Sequence, residues 1–134
     1  MQNPFTGPRR LRYFTPQEAN ALLPEVTSQL FELNECVQRY REIIQTLRAG
    51  GVSNEQRMAL EADELRREAQ ELLDEIAEQG VEVRGIEQGL LDFPALRNGV
   101  EACLCWRQGD DRVEWWHPRN TGGAAREPVD YGDL

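Results

Sequence analysis

The sequence contains no lysine, so all fifteen of its basic residues are arginine. Acidic residues number 24, which gives a formal net charge of −9. A nucleic-acid-binding domain needs a clustered positive face to neutralise phosphates. Arg9, Arg10 and Arg12 form one basic cluster that could join Trp116 in binding nucleic acid. The overall charge argues against that function, and we do not expect nucleic acid to be a partner.

Cysteine and long apolar runs are also scarce. Cys36, Cys103 and Cys105 are an odd number, and the last two are too close in sequence to bridge easily across a strand. This is not the disulfide framework of a small secreted protein, and it favours a reducing cytoplasm. No apolar run approaches the ~18 residues of a membrane span, and the N-terminus lacks the apolar core of a signal peptide. We therefore expect a cytoplasmic protein that has no membrane partner.

The first half of the chain carries a long helical pattern. Thr15 and Glu18 have the spacing of a capping box, with Pro16 at the first helical position. Apolar residues then recur at alternating steps of four and three, which is typical of a coiled-coil stripe. The stripe consists of Ala19, Leu23, Val26, Leu30, Leu33, Val37, Tyr40, Ile44 and Leu47. Pro24 interrupts it, so we expect a kink there, or a short helix 16–23 followed by a long one.

A second helix is predicted after Gly50 and Gly51, with a capping box opened by Ser53. Its stripe follows the same alternation. It consists of Met58, Ala62, Leu65, Ala69, Leu72 and Ile76. Because the connection is short, the two helices are expected to run antiparallel. Phe31 and Leu60 fall outside the stripes and could be covered by the rest of the chain or by a second copy in a four-helix dimer.

After Gly80 the periodicity changes to that of strands. A short strand is predicted over 81–84, and the D-F-P sequence that begins at Asp92 is predicted to be a turn. A β-hairpin is predicted over 101–117. The chain is therefore expected to be a single α+β domain: a long antiparallel helical hairpin with a small antiparallel β-sheet of about three strands. The expected divisions are a flexible arm (1–13), the helical hairpin (14–80), the β-sheet (81–117) and a loose tail (118–134).

The predicted hairpin holds all three tryptophans, two of the cysteines and the only histidine. With a loop centred on Gly109, residues that face each other across the hairpin are expected to have numbers that add up to 219. This register places Trp106, Trp115 and His117 on the face that packs against the helices. The opposite face then shows Cys103, Cys105, Arg107, Glu114 and Trp116. We therefore interpret Trp116 as an exposed aromatic that marks a binding surface or a dimer interface.

Three residues could carry chemistry, and each also has a structural interpretation. His117 could be a metal ligand or a general base, although a hydrogen-bonded structural histidine is commoner at the end of an apolar strand. Asp92 could act as an acid, a base or a ligand, or it could bind its own downstream amides in a turn. Arg107 could bind the carboxylate or phosphate of a ligand, or pair with Glu101 or Glu114 across the hairpin.

Zinc and a nucleophilic cysteine are both disfavoured. Cys103 and Cys105 with one histidine fall short of the four ligands that zinc normally takes, and no Cys-x-x-Cys is present. A nucleophilic cysteine needs a nearby base and an electropositive setting. Glu114 opposes the charge that Arg107 or Arg112 would supply. We therefore predict no metal, no cofactor and no complete catalytic set.

Three separated stretches resemble a family of small, uncharacterised bacterial proteins, a domain of unknown function. They are FTPQEANALLP at 14–24, GLLDFPALRNG at 89–99, and the pair LCWR at 104–107 and WWH at 115–117. The family carries F-T-P-x-E-A-N-x-L-L-P, D-F-P, C-W-R and W-H motifs in this order. The resemblance covers roughly residues 13 to 127. It implies a bacterial source and no particular activity.

Two functions are compatible with these features. The leading interpretation is a non-enzymatic interaction or scaffold module, homodimeric or bound to another protein, which uses Trp116 and the helical surface. The alternative is a small enzyme or ligand-binding protein with a site where the D-F-P turn meets the hairpin. That site would use Asp92, Arg107 and His117, and it requires these side chains to converge on one concave pocket.

Overall fold

The computed structural model describes residues 12–122 and 126–129. Its elements, in chain order, are α1 (Pro16–Ala49), α2 (Glu55–Glu78), β1 (Glu82–Gly85), β2 (Leu90–Arg97), β3 (Val100–Arg107), β4 (Trp115–Pro118) and β5 (Glu127–Pro128). The two helices pack against each other, and the strands form one antiparallel sheet in the order β1-β2-β3-β4-β5. The predicted α+β class is confirmed, with five strands rather than about three. No helix in the described ranges combines the length and apolarity needed to cross a membrane.

Most of the predicted flexible arm, residues 1–11, lies outside the described residues. The fifth strand comes from the segment after Pro118 and pairs with β4. Residues 123–125 and 130–134 of that segment also lie outside the described ranges.

Helix α1 is a single helix of 34 residues, and its predicted capping box is confirmed. The Thr15 hydroxyl accepts a hydrogen bond from the Glu18 backbone at 3.1 Å, and the Glu18 carboxylate accepts one from the Thr15 backbone at 3.0 Å. Pro24 does not split the helix, so the predicted short helix 16–23 is wrong. Leu23 and Val26 beside the proline are buried, and burial of each stabilises the fold by ~1.5–3 kcal/mol. This burial offsets the ~3 kcal/mol that a proline costs inside a helix.

Helix α2 begins one residue later than a cap at Ser53 would place it. Asn54 is the N-cap residue and its side chain makes no capping hydrogen bond, so the predicted capping box is wrong. The apolar stripe of α1 is buried as predicted as far as Leu33, after which Cys36 and Ile43 are the buried residues. Val37, the next residue of the predicted stripe, packs against the core but is only partly buried.

The core lies between the helices and one face of the sheet. Its sheet residues are Leu91, Phe93, Ala95, Leu104 and Trp106. Phe93 is fully buried and meets Phe14 edge to face, with ring centroids 5.3 Å apart. Because side chains alternate along a strand, Asp92 and Cys103 point away from this core. The face opposite to the core is called the outer face below.

The predicted D-F-P turn is wrong, because Asp92, Phe93 and Pro94 lie in the middle of β2. The Pro94 carbonyl accepts a hydrogen bond from the Phe14 backbone N–H at 2.7 Å, and β1 pairs with β2 only as far as Asp92. At Pro94, this edge of β2 has no neighbouring strand. The N–H that proline lacks is therefore not needed for strand pairing. The turn lies instead at Asn98-Gly99, between β2 and β3. The φ angles of these residues are 52° and 78°, and two residues with positive φ are what a type I′ turn requires.

Strands β3 and β4 pair one residue away from the predicted register. Cys103 lies opposite His117 and Leu104 lies opposite Trp116, so the paired numbers add up to 220 and not to 219. A shift of one residue exchanges the two faces of a strand. Trp115 and His117 therefore lie on the outer face, and Trp116 lies on the core side.

A contact with helix α1 accounts for this register. The Asn20 side chain accepts a hydrogen bond from the Val113 N–H at 2.7 Å and donates one to the Val113 carbonyl at 3.1 Å. Val113 is fully buried although it lies outside the strands. Asp110 closes the start of the same loop, because its carboxylate accepts the Arg107 backbone N–H at 3.0 Å. The loop is therefore longer than the predicted turn, and β4 begins only at Trp115.

Replacing Asn20 with alanine is expected to lower the free energy of unfolding by about 1–3 kcal/mol, because the buried Val113 amide and carbonyl lose these hydrogen bonds. Urea denaturation measures the change. Gln38→Ala is the matched control: its amide is exposed and bonds only to the side chains of Asn34 and Glu87 in the described contacts. The control should change stability by no more than about 0.5 kcal/mol. Equal losses in the two variants would contradict the role given to Asn20.

Candidate functional site

The outer face of the sheet carries a buried polar cluster. Alternation along β2, β3 and β4 brings Asp92, Cys103 and His117 together on this face, where they are 4%, 0% and 3% exposed. One carboxylate oxygen, the sulfur and one imidazole nitrogen all lie within 4.8 Å of one another. These three residues are called the Asp-Cys-His cluster.

The hydrogen bonds of His117 fix the orientation of its ring within the cluster. Nδ1 lies 2.8 Å from the Pro118 carbonyl, and Nε2 lies 3.2 Å from Oδ1 of Asp92. A carbonyl oxygen only accepts, so Nδ1 carries a proton. A neutral imidazole has a single N–H, which leaves Nε2 as a lone pair directed at the Asp92 carboxylate. Nε2 and Oδ1 therefore face the same point, which a proton or a metal cation can occupy.

Two arginines border the cluster and share one buried carboxylate. Arg84 donates from Nε to Oδ2 of Asp92 at 3.0 Å and also pairs with Glu82. Arg119 donates to Oε1 of Glu82 at 2.8 Å and to Sγ of Cys103 at 3.9 Å. Glu82 is 8% exposed. The buried acids are thus paired with guanidinium groups, and one of these groups also places positive charge beside the sulfur.

The cysteines of the outer face are protonated at neutral pH. Burial raises the pKa of the Cys103 thiol to about 11; the charge of Asp92 acts in the same direction and Arg119 opposes it. Burial likewise raises the pKa of the Cys105 thiol. Both cysteines are free thiols. A nucleophilic cysteine reacts as a thiolate with a lowered pKa, so neither residue has the environment of a nucleophile.

The structure brings together two of the residues that the sequence singled out, Asp92 and His117. The sequence had placed His117 on the buried helix-facing side, and the observed register moves it to the outer face. Trp116, interpreted as an exposed aromatic of the outer face, instead packs partly against the core. The guanidinium carbon of Arg97 lies 4.1 Å from the centroid of its ring. The predicted position of Trp116 on the outer face is therefore wrong, because the register differs by one residue.

Arg107 and Glu114 lie at the loop end of the sheet. Arg107 pairs with Leu90 of β2, and the pairing of β3 with β4 ends at Cys105 and Trp115. The strand pairing of Arg107 with Arg112 that a sum of 219 implies therefore does not form. Glu114 accepts from Nε of Arg112 at 3.4 Å.

No motif or spacing singled out Glu82, Arg84 or Arg119 as site residues. Period-two alternation over 81–84 did predict a strand with Glu82 and Arg84 on one face. The sequence did not show which strand would pair with it. In the structure Glu82 pairs with Asp92, and this pairing places Glu82 and Arg84 beside the cluster.

Two surface cavities are lined by residues outside the Asp-Cys-His cluster, and Arg84, which donates to Asp92, lines the first of them. One lies between the helices and the β1–β2 connection, and its lining includes Val37, Arg41 and Leu73. The other lies beside the start of α1, and its lining includes Asn20 and Pro24. Neither lining contains a residue of the cluster. The site as it stands is a buried group of mixed donors, not an open pocket.

Comparison with known proteins gives one result. The family described as "Uncharacterized conserved protein (DUF2203)" matches residues 12–129. No curated protein and no solved structure matches the chain. The matched range contains the whole Asp-Cys-His cluster, both arginines that border it, and Asn20. The chain belongs to this family of uncharacterised conserved proteins.

Proposed function

We propose that the protein is a non-enzymatic interaction module that forms a homodimer through its helical hairpin. The supporting observation is a contrast in exposure. The three side chains of the Asp-Cys-His cluster are at most 4% exposed. Phe31 and Leu60 on the helices are 48% and 65% exposed. An active site has to admit its substrate, and an exposed apolar side chain is stabilised when a partner covers it.

The charge of the helices supplies a second criterion. Residues 16–79 contain fourteen acidic residues and six arginines. Two copies of such a surface repel each other, and salt screens the repulsion. Self-association is therefore expected to strengthen as the salt concentration rises. Binding of a basic protein partner to the same surface would weaken with salt, which separates the two kinds of partner.

Size-exclusion chromatography with light scattering tests the dimer. The expected mass is twice that of the 15.4 kDa chain. Phe31→Asp and Leu60→Asp are each expected to weaken self-association at least tenfold, because a carboxylate would be desolvated in the interface. Leu96→Asp is the matched control, since Leu96 is 43% exposed but lies in the sheet. A monomeric wild-type protein up to its solubility limit, in high salt, would contradict the proposal.

We also propose a cytoplasmic location and a bacterial source. Three free cysteines support a reducing compartment. The family motifs of the sequence support the source. Fractionation of cells tests the location, and recovery of the protein outside the cytoplasmic fraction would contradict it.

A further inference from the structure

The geometry points to a binding site for a zinc-like divalent cation at Asp92, Cys103 and His117. This inference goes beyond the proposed interaction function and does not depend on it. Three different strands deliver one oxygen, one sulfur and one nitrogen within 4.8 Å of one another. Ligands that bind zinc tetrahedrally at about 2.0–2.3 Å lie roughly 3.3–3.8 Å apart. The 3.2 Å between Nε2 of His117 and Oδ1 of Asp92 is close to that separation.

Each of the three side chains is also held by an outer partner, as the ligands of a metal normally are. Nδ1 of His117 donates to the Pro118 carbonyl at 2.8 Å, which directs Nε2 toward the cluster. Oδ2 of Asp92 accepts from Arg84 at 3.0 Å, while Oδ1 faces the histidine. Arg119 donates to the sulfur of Cys103, which favours the thiolate that a metal binds.

The charge balance of the cluster is compatible with a divalent cation. A divalent cation that binds Nε2, Oδ1 and Sγ releases the thiol proton of Cys103 to solvent, because the metal binds the thiolate and the imidazole lone pair. The charge of the cation is then balanced by the thiolate and by the Asp92 carboxylate. No oxidation or reduction is involved.

The donor set selects the class of metal. Zinc binds cysteine sulfur, histidine nitrogen and carboxylate oxygen, whereas calcium and magnesium require six or more oxygen ligands. Three protein ligands leave a fourth position for water. The sequence analysis predicted no zinc because Cys103, Cys105 and one histidine supply only three ligands. The fold replaces Cys105, which is not within the three-residue group, by Asp92 from a neighbouring strand.

Cobalt(II) binding tests the site, because a cobalt–thiolate bond gives a charge-transfer band in the near ultraviolet. Protein freed of metal by a chelator is titrated with Co²⁺. We expect one Co²⁺ per chain, the charge-transfer band, and loss of the band when Zn²⁺ is added. We also expect Zn²⁺ to raise the midpoint of thermal unfolding relative to protein in excess chelator, since a metal that binds only the folded state stabilises it. A wild-type protein without this band would overturn the inference.

Variants separate this site from adventitious binding. Cys103→Ala is expected to lose the band and to weaken Co²⁺ binding at least tenfold. Cys105→Ala is the matched control, because Cys105 lies two residues away on the same strand and outer face and is equally buried. His117→Gln, which keeps a donor for Asp92 but removes the imidazole, should also weaken binding at least tenfold.

Circular dichroism confirms that each variant is folded before its metal binding is measured. Should Cys103→Ala fail to fold, Cys103→Ser preserves the size of the side chain and is still expected to lose the band. An unchanged band in a folded Cys103 variant would show that the metal binds elsewhere and would overturn the inference. A band that is lost in folded Cys105→Ala would overturn it as well.

Discussion

Replacing Asp92 with alanine is expected to lower the free energy of unfolding by about 3–5 kcal/mol in excess chelator. The buried carboxylate contacts Nε2 of His117 at 3.2 Å and Nε of Arg84 at 3.0 Å. Its removal leaves the buried imidazole and Nε of Arg84 without this partner. Small domains are stable by only about 5–15 kcal/mol, so the loss is a large share of the total.

Urea denaturation measures this loss, with Glu101→Ala as the control. Glu101 also lies on the outer face, but its side chain is 52% exposed. Its carboxylate accepts an exposed hydrogen bond from the Tyr13 hydroxyl at 2.6 Å and lies 3.9 Å from Arg119. An ion pair of this kind contributes about 0–1 kcal/mol. If Asp92→Ala costs no more than the control, the buried cluster does not stabilise the sheet. In the presence of Zn²⁺ the difference between wild type and Asp92→Ala should widen, because the inferred metal would stabilise only the wild type.

Replacing Phe93 with alanine is expected to cost about 3–5 kcal/mol, for a different physical reason. The ring is fully buried between the sheet and the helices, where it packs against Phe14 at 5.3 Å. Its loss removes the transfer free energy of the ring and leaves a cavity that rigid neighbours fill only in part. We expect a lower urea midpoint with an unchanged slope, since the folded and unfolded states expose nearly the same surface as before.

Leu96→Ala is the control for this second change, because it truncates a large apolar residue of the same strand that is exposed. It should change stability by no more than about 0.5 kcal/mol. Similar losses for Phe93→Ala and Leu96→Ala would mean that the core does not lie on the face of β2 to which we assign it.

The two changes together separate a strand from a turn. In a turn, Asp92 would bind its own downstream amides, and its replacement would remove a local hydrogen bond of about 1 kcal/mol. In β2, Asp92 and Phe93 lie on opposite faces of the sheet and contact different parts of the protein. Large losses at two neighbouring residues, each with a different physical cause, are therefore expected only for the strand.

The sequence by itself determined that the first half of the protein forms two packed helices, but not the path of α1 at Pro24 or the cap of α2. The capping box at Thr15, the apolar stripes and the glycine turn at Gly50 and Gly51 depend on residues three or four apart, or on the conformation of a single residue. Such interactions can be read along the chain without knowledge of what packs against it. The α+β class followed because the change of periodicity after Gly80 is also local.

The tertiary structure alone decided where the chemistry lies. His117 meets Asp92 only because β4 pairs with β3 one residue away from the position that a short hairpin turn predicts. That register depends on the buried Val113 and on its two hydrogen bonds to Asn20, which is 93 residues earlier in the chain. A contact of this range leaves no trace in local periodicity. Because strand side chains alternate with a period of two, it nevertheless decides which residues share a face.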